Sequence, residues 1–464
     1  MNIPRLVIAG THSGVGKTTI TSGLMQTLAN KGLKVQGLKV GPDYIDPTYH
    51  TLATNRYSRN VDTWLLGENA ILELMSRNCW DANITIIEGV MGFYDGFGGN
   101  SELGSTAHIA KITKSPVVLV IDARSMGRSV AALVYGYKNI DPDVNIAGII
   151  LNKVASPRHL EILSEALEPL KIPIVGYLFR DTNLGMPERH LGLIPAEEME
   201  GLKEHLKRIA EELENKISLT EILKIAQTTE EFPKVSPQVF IPEEKGKYNG
   251  IKIGYAWDKA FSFYYRDSLD FLEYLGVELI PISPLKDSFL PRPLSGLLIG
   301  GGFPELFLEE LSANKSFMYS IQEAYALGLP IYAECGGFMY LTNEIFDFSN
   351  NKFSMTGLIP GRCFMTSKLA GMGYREGMTM ENSILGPKGT YIKGHEFHYS
   401  SFEPLAIEEN FPRAFSFNNG KYDGYVKENL LASYLHMHFI SNPELVKNFL
   451  NRCWLYDRGE KCKV

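Results

Sequence analysis

Cysteine is scarce in this chain and forms no close pair. The 464 residues contain five cysteines (Cys79, Cys335, Cys363, Cys453 and Cys462), an odd number with no CxxC spacing. Disulfide frameworks and cysteine-based zinc sites both need regularly spaced cysteines. The sequence therefore predicts reduced thiols, as in a cytoplasmic protein, and no zinc site built from cysteines.

Long apolar runs and an excess of positive charge are also missing. No stretch approaches the roughly 18 apolar residues of a membrane span, and the apolar run Leu6–Gly10 is too short for a signal peptide. The chain carries 46 Lys and Arg against 53 Asp and Glu, a formal net charge of −7. General nucleic-acid binding requires clustered cations. We therefore expect a cytoplasmic protein that binds neither membranes nor nucleic acid.

Short apolar runs alternate with longer amphipathic segments, a pattern typical of α/β domains with parallel sheets. A predicted helix at Leu202–Asn215 is followed by a polar stretch that we expect to be weakly structured. Residues 227–249 carry three prolines and mixed charge, as interdomain linkers do. We expect one domain over residues 1–226 and another over 250–464. The predicted strands are Arg5–Ala9, Lys34–Lys39, Ile84–Glu88, Val117–Asp122, Ile146–Asn152, Ile174–Tyr177, Lys252–Ala256, Val277–Ile282, Gly296–Ile299 and Ile331–Ala333.

The first predicted strand runs directly into the glycine-rich segment GTHSGVGKTT, residues 10–19. Such a loop turns backbone N–H groups towards an anion, and the helix that follows adds partial positive charge. Lys17 would reach the β- and γ-phosphates of ATP, and the Thr18 hydroxyl would bind Mg²⁺. A tight turn without a ligand is the alternative. The predicted nucleotide-binding residues are Gly14, Gly16, Lys17, Thr18 and Thr19.

The spacing of this loop departs by one residue from the strict phosphate-binding pattern. That pattern places its first glycine at position 11, whereas this chain has Thr11 there and the glycine one residue earlier. The spacing resembles the dethiobiotin-synthetase branch of P-loop proteins.

Carboxylates follow two other predicted strands at the same edge of the sheet. Glu88 ends one strand, and the loop KVGPDYIDP places Asp43 and Asp46 after another. Carboxylates near the phosphates would bind Mg²⁺, so Thr18, Asp43 and Glu88 are the predicted metal ligands. The loop acids are also compatible with substrate binding, catalysis or an ordinary turn, because Pro-Asp and Asp-Pro mark turns. Asp95, in EGVMGFYDG, is a similar and weaker candidate.

Cys335 lies between a predicted strand and two glycines in the second half of the chain. The order strand, sharp turn and helix is a cysteine version of the nucleophile elbow, in which the helix N-terminus favours the thiolate. Gly301 and Gly302, in GGGFPE, would supply oxyanion-hole N–H groups. A buried structural cysteine is the alternative.

A thiolate nucleophile needs a histidine base, and candidates occur in GHEFHYS and SYLHMHF. The segment Ser433–His436 looks like the end of a late strand, which suits His436 to face Cys335. His398 is the second candidate. Each of these histidines has a purely structural reading as well.

Over nearly its whole length the chain resembles the cobyrinate a,c-diamide synthase family. The resemblance implies an N-terminal P-loop, dethiobiotin-synthetase-like domain with a parallel sheet and a C-terminal class I glutamine amidotransferase α/β domain. The nickel-sirohydrochlorin a,c-diamide synthases are close relatives with almost the same motifs. The motifs that carry the resemblance are GTHSGVGKTT, KVGPDYIDPTYH, SRNVDTW, EGVMGFYDG, GSTAHIAK, IGYAWDKAFSFYY, GGGFPE, YAECGGFMYL, GHEFHYS and SYLHMHF.

The resemblance implies a carbon–nitrogen ligase that uses ATP, with Mg²⁺, and glutamine as the amide donor. Cys335 would attack glutamine, His436 would assist it, and the released ammonia would amidate the a and c carboxylates of cobyrinate through acyl phosphates. Asp46 is implied in phosphoryl transfer, and Asp43 and Asp95 in substrate handling. Many related glutaminases place an acid two residues after the histidine. This chain has His438 there, which leaves the orienting partner of His436 open.

Three alternatives to this function remain open. The same reaction on nickel-sirohydrochlorin fits the motifs equally well. Cobyric acid synthase, a sister enzyme, fits their order less well, and a P-loop switch protein would leave Cys335 without a role. The resemblance is also compatible with a homodimer.

Overall fold

The computed structural model describes residues 2–181, 184–186, 188–189, 192–193, 201–405 and 411–460. The chain divides into two compact units, Met1–Gln238 and Val239–Val464. This division falls within the stretch 227–249 that we interpret as a linker. Among the described residues, no helix is long and apolar enough to cross a membrane. Four cysteines are buried free thiols, and Cys462 lies outside the described residues.

The first unit contains a parallel seven-stranded sheet in the order β3-β2-β4-β1-β5-β6-β7. The strands are β1 (Arg5–Gly10), β2 (Val35–Val40), β3 (Arg59–Val61), β4 (Ile84–Glu88), β5 (Val117–Asp122), β6 (Ile146–Val154) and β7 (Ile174–Phe179), and a separate pair is β8 (Glu188–Arg189) and β9 (Gly192–Leu193). The helices are α1 (Lys17–Asn30), α2 (Asp46–Thr54), α3 (Glu68–Cys79), α4 (Thr106–Ile112), α5 (Ser129–Asn139), α6 (Pro157–Leu167), α7 (Leu202–Glu214) and α8 (Leu219–Gln227).

The six strands predicted for this half are all present, because apolar, β-branched runs suit a parallel sheet that is covered on both faces. The expectation of weak structure after residue 215 is wrong. Helix α8 forms there because Ser218 caps it by accepting a hydrogen bond from the Glu221 N–H, while Ile222 and Ile225 are buried. The polar residues around these positions obscure the helical spacing of the apolar residues in the sequence.

The register of the sheet gathers three chain segments at one edge. Ile8 pairs with Glu88, and Lys39 pairs with the same Glu88 from the other side. The carboxyl ends of β1, β2 and β4 therefore lie side by side, where ligands bind in open parallel sheets. The loop that begins at Gly10 continues from this edge into α1.

The second unit is built on a six-stranded sheet in the order β11-β10-β12-β13-β23-β22, in which only the β22–β23 pair of the described strands is antiparallel. Two four-stranded sheets, β15-β14-β16-β19 and β18-β17-β20-β21, complete it. The strands are β10 (Lys252–Ala256), β11 (Glu278–Ile282), β12 (Gly296–Ile299), β13 (Ile331–Glu334), β14 (Thr342–Phe346), β15 (Lys352–Ser354), β16 (Ile359–Met365), β17 (Gly371–Thr379), β18 (Tyr391–His398), β19 (Ser400–Pro404), β20 (Phe415–Phe417), β21 (Tyr422–Asp423), β22 (Tyr425–Lys427) and β23 (Leu430–Ser433). The helices are α9 (Arg266–Tyr274), α10 (Leu308–Ala313), α11 (Lys315–Ala326), α12 (Gly336–Leu341) and α13 (Pro443–Asp457).

The four strands predicted for this half are present, and both units are α/β, as the sequence indicated. The carboxyl ends of β12, β13 and β23 are adjacent in the large sheet. Gly300, Cys335 and the segment that leads to His436 follow these three strand ends.

Candidate active sites

The glycine-rich loop of the first unit curls around the Lys17 side chain. Gly14 and Gly16 have φ angles of 79° and 96°, in the left-handed region that favours glycine. The Lys17 ammonium donates hydrogen bonds to the carbonyl oxygens of His12, at 3.3 Å, and Met91. A phosphate entering the loop would offer this ammonium an anionic partner in place of these carbonyl groups.

Lys17 is buried, and its pKa is lowered to about 8 by this burial and by repulsion from the Lys39 ammonium. Nearby carboxylates oppose the shift without cancelling it. The loop therefore favours an additional negative charge, such as that of a nucleotide phosphate.

A polar cluster lies beside Lys17 at the strand edge. The Thr18 hydroxyl donates to Glu88 Oε1 at 2.8 Å and lies 3.2 Å from Asp46 Oδ2. Glu88 is fully buried, and its other oxygen lies 2.6 Å from His50 Nε2. His50 and Asp46 are four residues apart on α2 and share one face of the helix. His50 contacts Glu88 directly, whereas Asp46 contacts Thr18 and Lys39, which both contact Glu88.

Lys39 is the main site residue that the sequence analysis missed. Its buried ammonium contacts Asp46 Oδ2, lies 2.9 Å from Glu88 Oε1 and lies 3.9 Å from Asp43 Oδ2. Burial disfavours its charge, but the carboxylates of Asp46 and Glu88 outweigh burial and raise the pKa of Lys39. The same ammonium keeps the pKa of Glu88 low in spite of burial.

The oxygen atoms of this cluster fit a magnesium ion that is shared with phosphates. Asp46 Oδ1 is buried and has no hydrogen-bond partner among the described residues, while its other oxygen faces Thr18 and Lys39. The described residues form no group of three or more His, Cys, Asp or Glu side chains suited to hold a metal by themselves. Mg²⁺ commonly takes one or two carboxylates and completes its shell with water and phosphate.

The other two loop acids shape their own turns. Asp43 Oδ1 accepts hydrogen bonds from the N–H groups of Ile45, at 2.7 Å, and Asp46, at 3.1 Å. Asp95 is exposed, and its Oδ2 accepts a hydrogen bond from the Gly92 N–H at 3.0 Å. A cleft of about 460 Å³ brings together all the predicted nucleotide- and metal-binding residues; Asp95 does not line it. The predicted residues that line it are Gly14, Gly16, Lys17, Thr18, Thr19, Asp43, Asp46 and Glu88.

Two residues near the end of β6 support the glycine-rich loop from outside and were also missed. The Asn152 side-chain amide donates to the Val15 carbonyl at 2.7 Å, and Lys153 donates to the Gly14 carbonyl at 2.9 Å. Lys153 also lies 3.1 Å from Asp122 Oδ2. These contacts depend on the neighbouring order of β1, β5 and β6, so the local sequence carries no signal for them.

In the second unit, Cys335 occupies the sharp turn between β13 and α12. Its backbone has φ 47° and ψ −104°, a conformation that non-glycine residues rarely adopt. The Cys335 N–H donates to the Ser433 carbonyl at 2.7 Å. A Cβ on Gly337 would lie 2.1 Å from the Ile299 carbonyl oxygen, so only glycine allows α12 to begin this close to β12.

His436 lies against Cys335. Although burial disfavours its charge, the neighbouring Cys335 side chain in its thiolate form and then Glu334 raise the pKa of His436 to about 10. Strand β23 ends at Ser433, earlier than the strand end that we expected at His436. The chain instead reaches His436 through a bridge in which His436 and His395 exchange backbone hydrogen bonds of 2.9 and 3.0 Å.

The other late histidines have structural contacts. His438 is buried and stacks on Tyr265 with ring centroids 4.5 Å apart, and burial lowers its pKa to about 3. The Nδ1 atom of His398 lies 2.8 Å from the Ser400 carbonyl oxygen, and its ring stacks on Tyr434. Position 438, where an acid was the alternative, is therefore occupied by a histidine with a structural contact.

The loop after β12 packs beside the thiol. A Cβ on Gly301 would lie 2.5 Å from His436 Cε1 and 3.5 Å from Cys335 Cβ. The Gly301 carbonyl accepts hydrogen bonds from the N–H groups of Ser262 and Phe263, each at 3.1 Å, which fixes the following peptide group. A Cβ on Gly336 would come within 3.2 Å of the Gly302 nitrogen, so this amide lies next to the turn that holds Cys335.

Two family comparisons match the two units. Residues 6–194 match the CobQ/CobB/MinD/ParA nucleotide binding domain, and residues 252–444 match the CobB/CobQ-like glutamine amidotransferase domain. The first domain is therefore a nucleotide-binding domain and the second a glutamine amidotransferase domain.

Curated relatives extend the match to nearly the full length. A cobyrinate a,c-diamide synthase of Caldanaerobacter subterraneus is 45% identical, covering 97% of this chain and 99% of the relative. Those of Dehalococcoides mccartyi and Priestia megaterium are each 43% identical, covering 97% and 98% of this chain and 98% of either relative. With both domains and this degree of identity, the chain belongs to the cobyrinate a,c-diamide synthase family of glutamine-dependent amidotransferase ligases.

Proposed function

We propose that this protein amidates the a and c side-chain carboxylates of cobyrinate, with ATP and glutamine as co-substrates. The observation that carries the proposal is the full-length similarity to relatives named for that reaction, with a phosphate-binding loop in one unit and a Cys335–His436 pair in the other. Each half of the chain supports one half-reaction.

Glutamine hydrolysis takes place at Cys335. The thiolate attacks the side-chain amide carbon of glutamine, and the amide N–H groups of the Gly301–Gly302 segment stabilise the oxyanion. His436 gives a proton to the leaving nitrogen, so ammonia departs and a thioester remains. Water then releases glutamate. The contact between His436 and the thiol supports this division of roles.

Carboxylate activation takes place in the cleft of the first unit. A substrate carboxylate oxygen attacks the γ-phosphorus of ATP, ADP leaves, and ammonia displaces phosphate from the resulting acyl phosphate. Because a free carboxylate is a poor acceptor, this activation is chemically necessary. Lys17 and Lys39 balance the developing negative charge.

Magnesium would be held by Thr18, Glu88 and the loop acids Asp43 and Asp46, and would neutralise phosphate charge when bound. Asp46 acts in phosphoryl transfer, and its contacts with Thr18 and Lys39 support this role. Asp43 and Asp95 contribute to the binding of the tetrapyrrole substrate.

The test is amidation followed by mass spectrometry. Purified protein with Mg-ATP and glutamine is offered cobyrinate and nickel-sirohydrochlorin in parallel, and we expect a diamide from cobyrinate. A diamide from the nickel compound alone would overturn the substrate assignment. Product from neither substrate, with ATP still bound, would favour a P-loop switch protein.

A matched variant separates the two half-reactions. Cys335→Ala should lose glutamine-dependent amidation and retain amidation driven by ammonium salts, because free ammonia bypasses the thioester. If the variant keeps glutamine-dependent activity, Cys335 is not the nucleophile.

A further inference from the structure

Glu334 is the last residue of β13 and directly precedes the nucleophile. Its side chain is 9% exposed, and its Oε2 lies 3.7 Å from Nδ1 of His436. This is an ion-pair distance, longer than a hydrogen bond. A carboxylate on the Nδ1 side can orient a catalytic imidazole so that its other nitrogen faces the nucleophile.

Two further contacts fix this carboxylate. Glu334 Oε1 accepts a hydrogen bond of 2.6 Å from the Tyr332 hydroxyl and one of 3.0 Å from the Met437 N–H. Met437 follows His436, so Glu334 anchors the peptide next to the base while its other oxygen faces the imidazole ring. A buried carboxylate anchored by two donors keeps its orientation without solvent.

We propose that Glu334 is the positioning residue of the glutaminase site and acts through His436 in place of the acid that His438 replaces. It holds the Nδ1 proton towards itself and stabilises the imidazolium formed when His436 takes the Cys335 proton. Glu334 does not touch glutamine. This inference rests on the proposed glutaminase step.

Among the described residues, the other ionisable groups near His436 have partners of their own. His395 stacks on the His436 ring at a centroid distance of 4.9 Å, and its own Nδ1 lies 3.2 Å from the Tyr265 hydroxyl. Glu396 acts on His436 only at longer range and forms an ion pair of 2.8 Å with Arg375. His398 also acts on His436 at longer range.

The experiment compares Glu334→Gln with Glu334→Asp, using Glu396→Gln as the matched control. Readouts are kcat and KM for glutamine hydrolysis, and the pH dependence of Cys335 alkylation by iodoacetamide measured by peptide mass spectrometry. Loss of a carboxylate behind a catalytic histidine lowers kcat by about 10,000-fold in serine proteases. We expect a drop of about 100-fold or more for Glu334→Gln, little change in KM, and alkylation that begins at higher pH.

The Asp variant should recover part of this loss, because it retains the negative charge, and Glu396→Gln should keep near wild-type kcat. Ammonium-driven amidation should persist in all three variants, which shows that the first unit is folded, and the partial recovery in Glu334→Asp shows the same for the second unit. Equal kcat for Glu334→Gln and the wild type, or a Gln variant more active than the Asp variant, would overturn the proposal. If the wild type itself shows no glutaminase activity, the proposed function fails, while the alkylation profile still tests the contact between Glu334 and the Cys335–His436 pair.

Discussion

Thr18 and Lys39 share the same two carboxylate oxygens. The Thr18 hydroxyl lies 2.8 Å from Glu88 Oε1 and 3.2 Å from Asp46 Oδ2, and the Lys39 ammonium contacts both of these oxygens. One residue belongs to the phosphate-binding loop and the other to β2. The positive charge of Lys39 therefore compensates two buried carboxylates at the position where the cation of Mg-ATP would have to be accommodated.

Replacing Lys39 by methionine should destabilise the first unit strongly. Removing one partner of a buried ion cluster costs about 3–5 kcal/mol, because the remaining charges stay buried. Urea unfolding followed by circular dichroism measures this loss. Lys31→Ala is the control, since Lys31 pairs with Glu214 at the surface and exposed pairs contribute at most about 1 kcal/mol. Equal losses for the two variants would contradict the compensating role of Lys39.

Asp46→Asn should separate the two half-reactions. The asparagine keeps the shape of the side chain but removes the charge that faces Thr18 and Lys39, so amidation should be lost. Glutamine hydrolysis at Cys335 should continue. Parallel assays of glutamate release and of diamide formation check this outcome. An equal loss of both activities would refute the assignment of Asp46.

ATP binding should take up protons above pH 8. The pKa of Lys17 is lowered from 10.5 to about 8 without nucleotide, so at lower pH the ammonium is already charged. Bound phosphates raise the pKa of Lys17, so above pH 8 the ammonium takes up a proton when ATP binds. The affinity for ATP should therefore fall as the pH rises. Calorimetry in buffers of different ionisation enthalpy measures the uptake. Lys17→Arg, which stays charged throughout, should bind ATP without it.

Gly16→Ala should disrupt nucleotide binding. Position 16 has φ 96°, and a Cβ there would lie 2.4 Å from the Asn152 side-chain nitrogen that supports the loop. Gly32→Ala is the matched control, because its φ is 81° and nothing lies within 4 Å of the added Cβ. Both variants should lose about 1–3 kcal/mol of stability through backbone strain. Only Gly16→Ala should also lose affinity for ATP, measured with a fluorescent nucleotide.

The sequence predicted most of the fold because the signals were local. Each buried strand is a short apolar run, and the glycine-rich loop is recognisable from its local sequence. Lys39 was missed because it lies inside β2, one residue before its end, and resembles an ordinary strand residue. Its contact with Glu88 arises only because β2 and β4 are neighbours. Glu334 went unnoticed for a similar reason, since its contact with His436 requires the pairing of β13 with β23.

His50 is a site residue that the local sequence could have indicated. It lies one helical turn after Asp46 behind a proline, so the two side chains share a face of α2. The pattern Asp-Pro-x-x-His therefore contained a usable signal. Helix α8 similarly carries a serine cap and apolar residues at helical spacing, which outweigh the polar composition around it.

Backbone hydrogen bonds in the second unit anchor the chain segments that carry the nucleophile and its base. Cys335 is tied to Ser433 by a main-chain bond, and His436 is tied to His395 by two. The number of residues between Ser433 and His436 therefore sets the distance between the Cys335 thiol and the His436 imidazole. In a mutational library, single insertions or deletions at Tyr434 and Leu435 should be eliminated, whereas volume-conserving replacements there should survive.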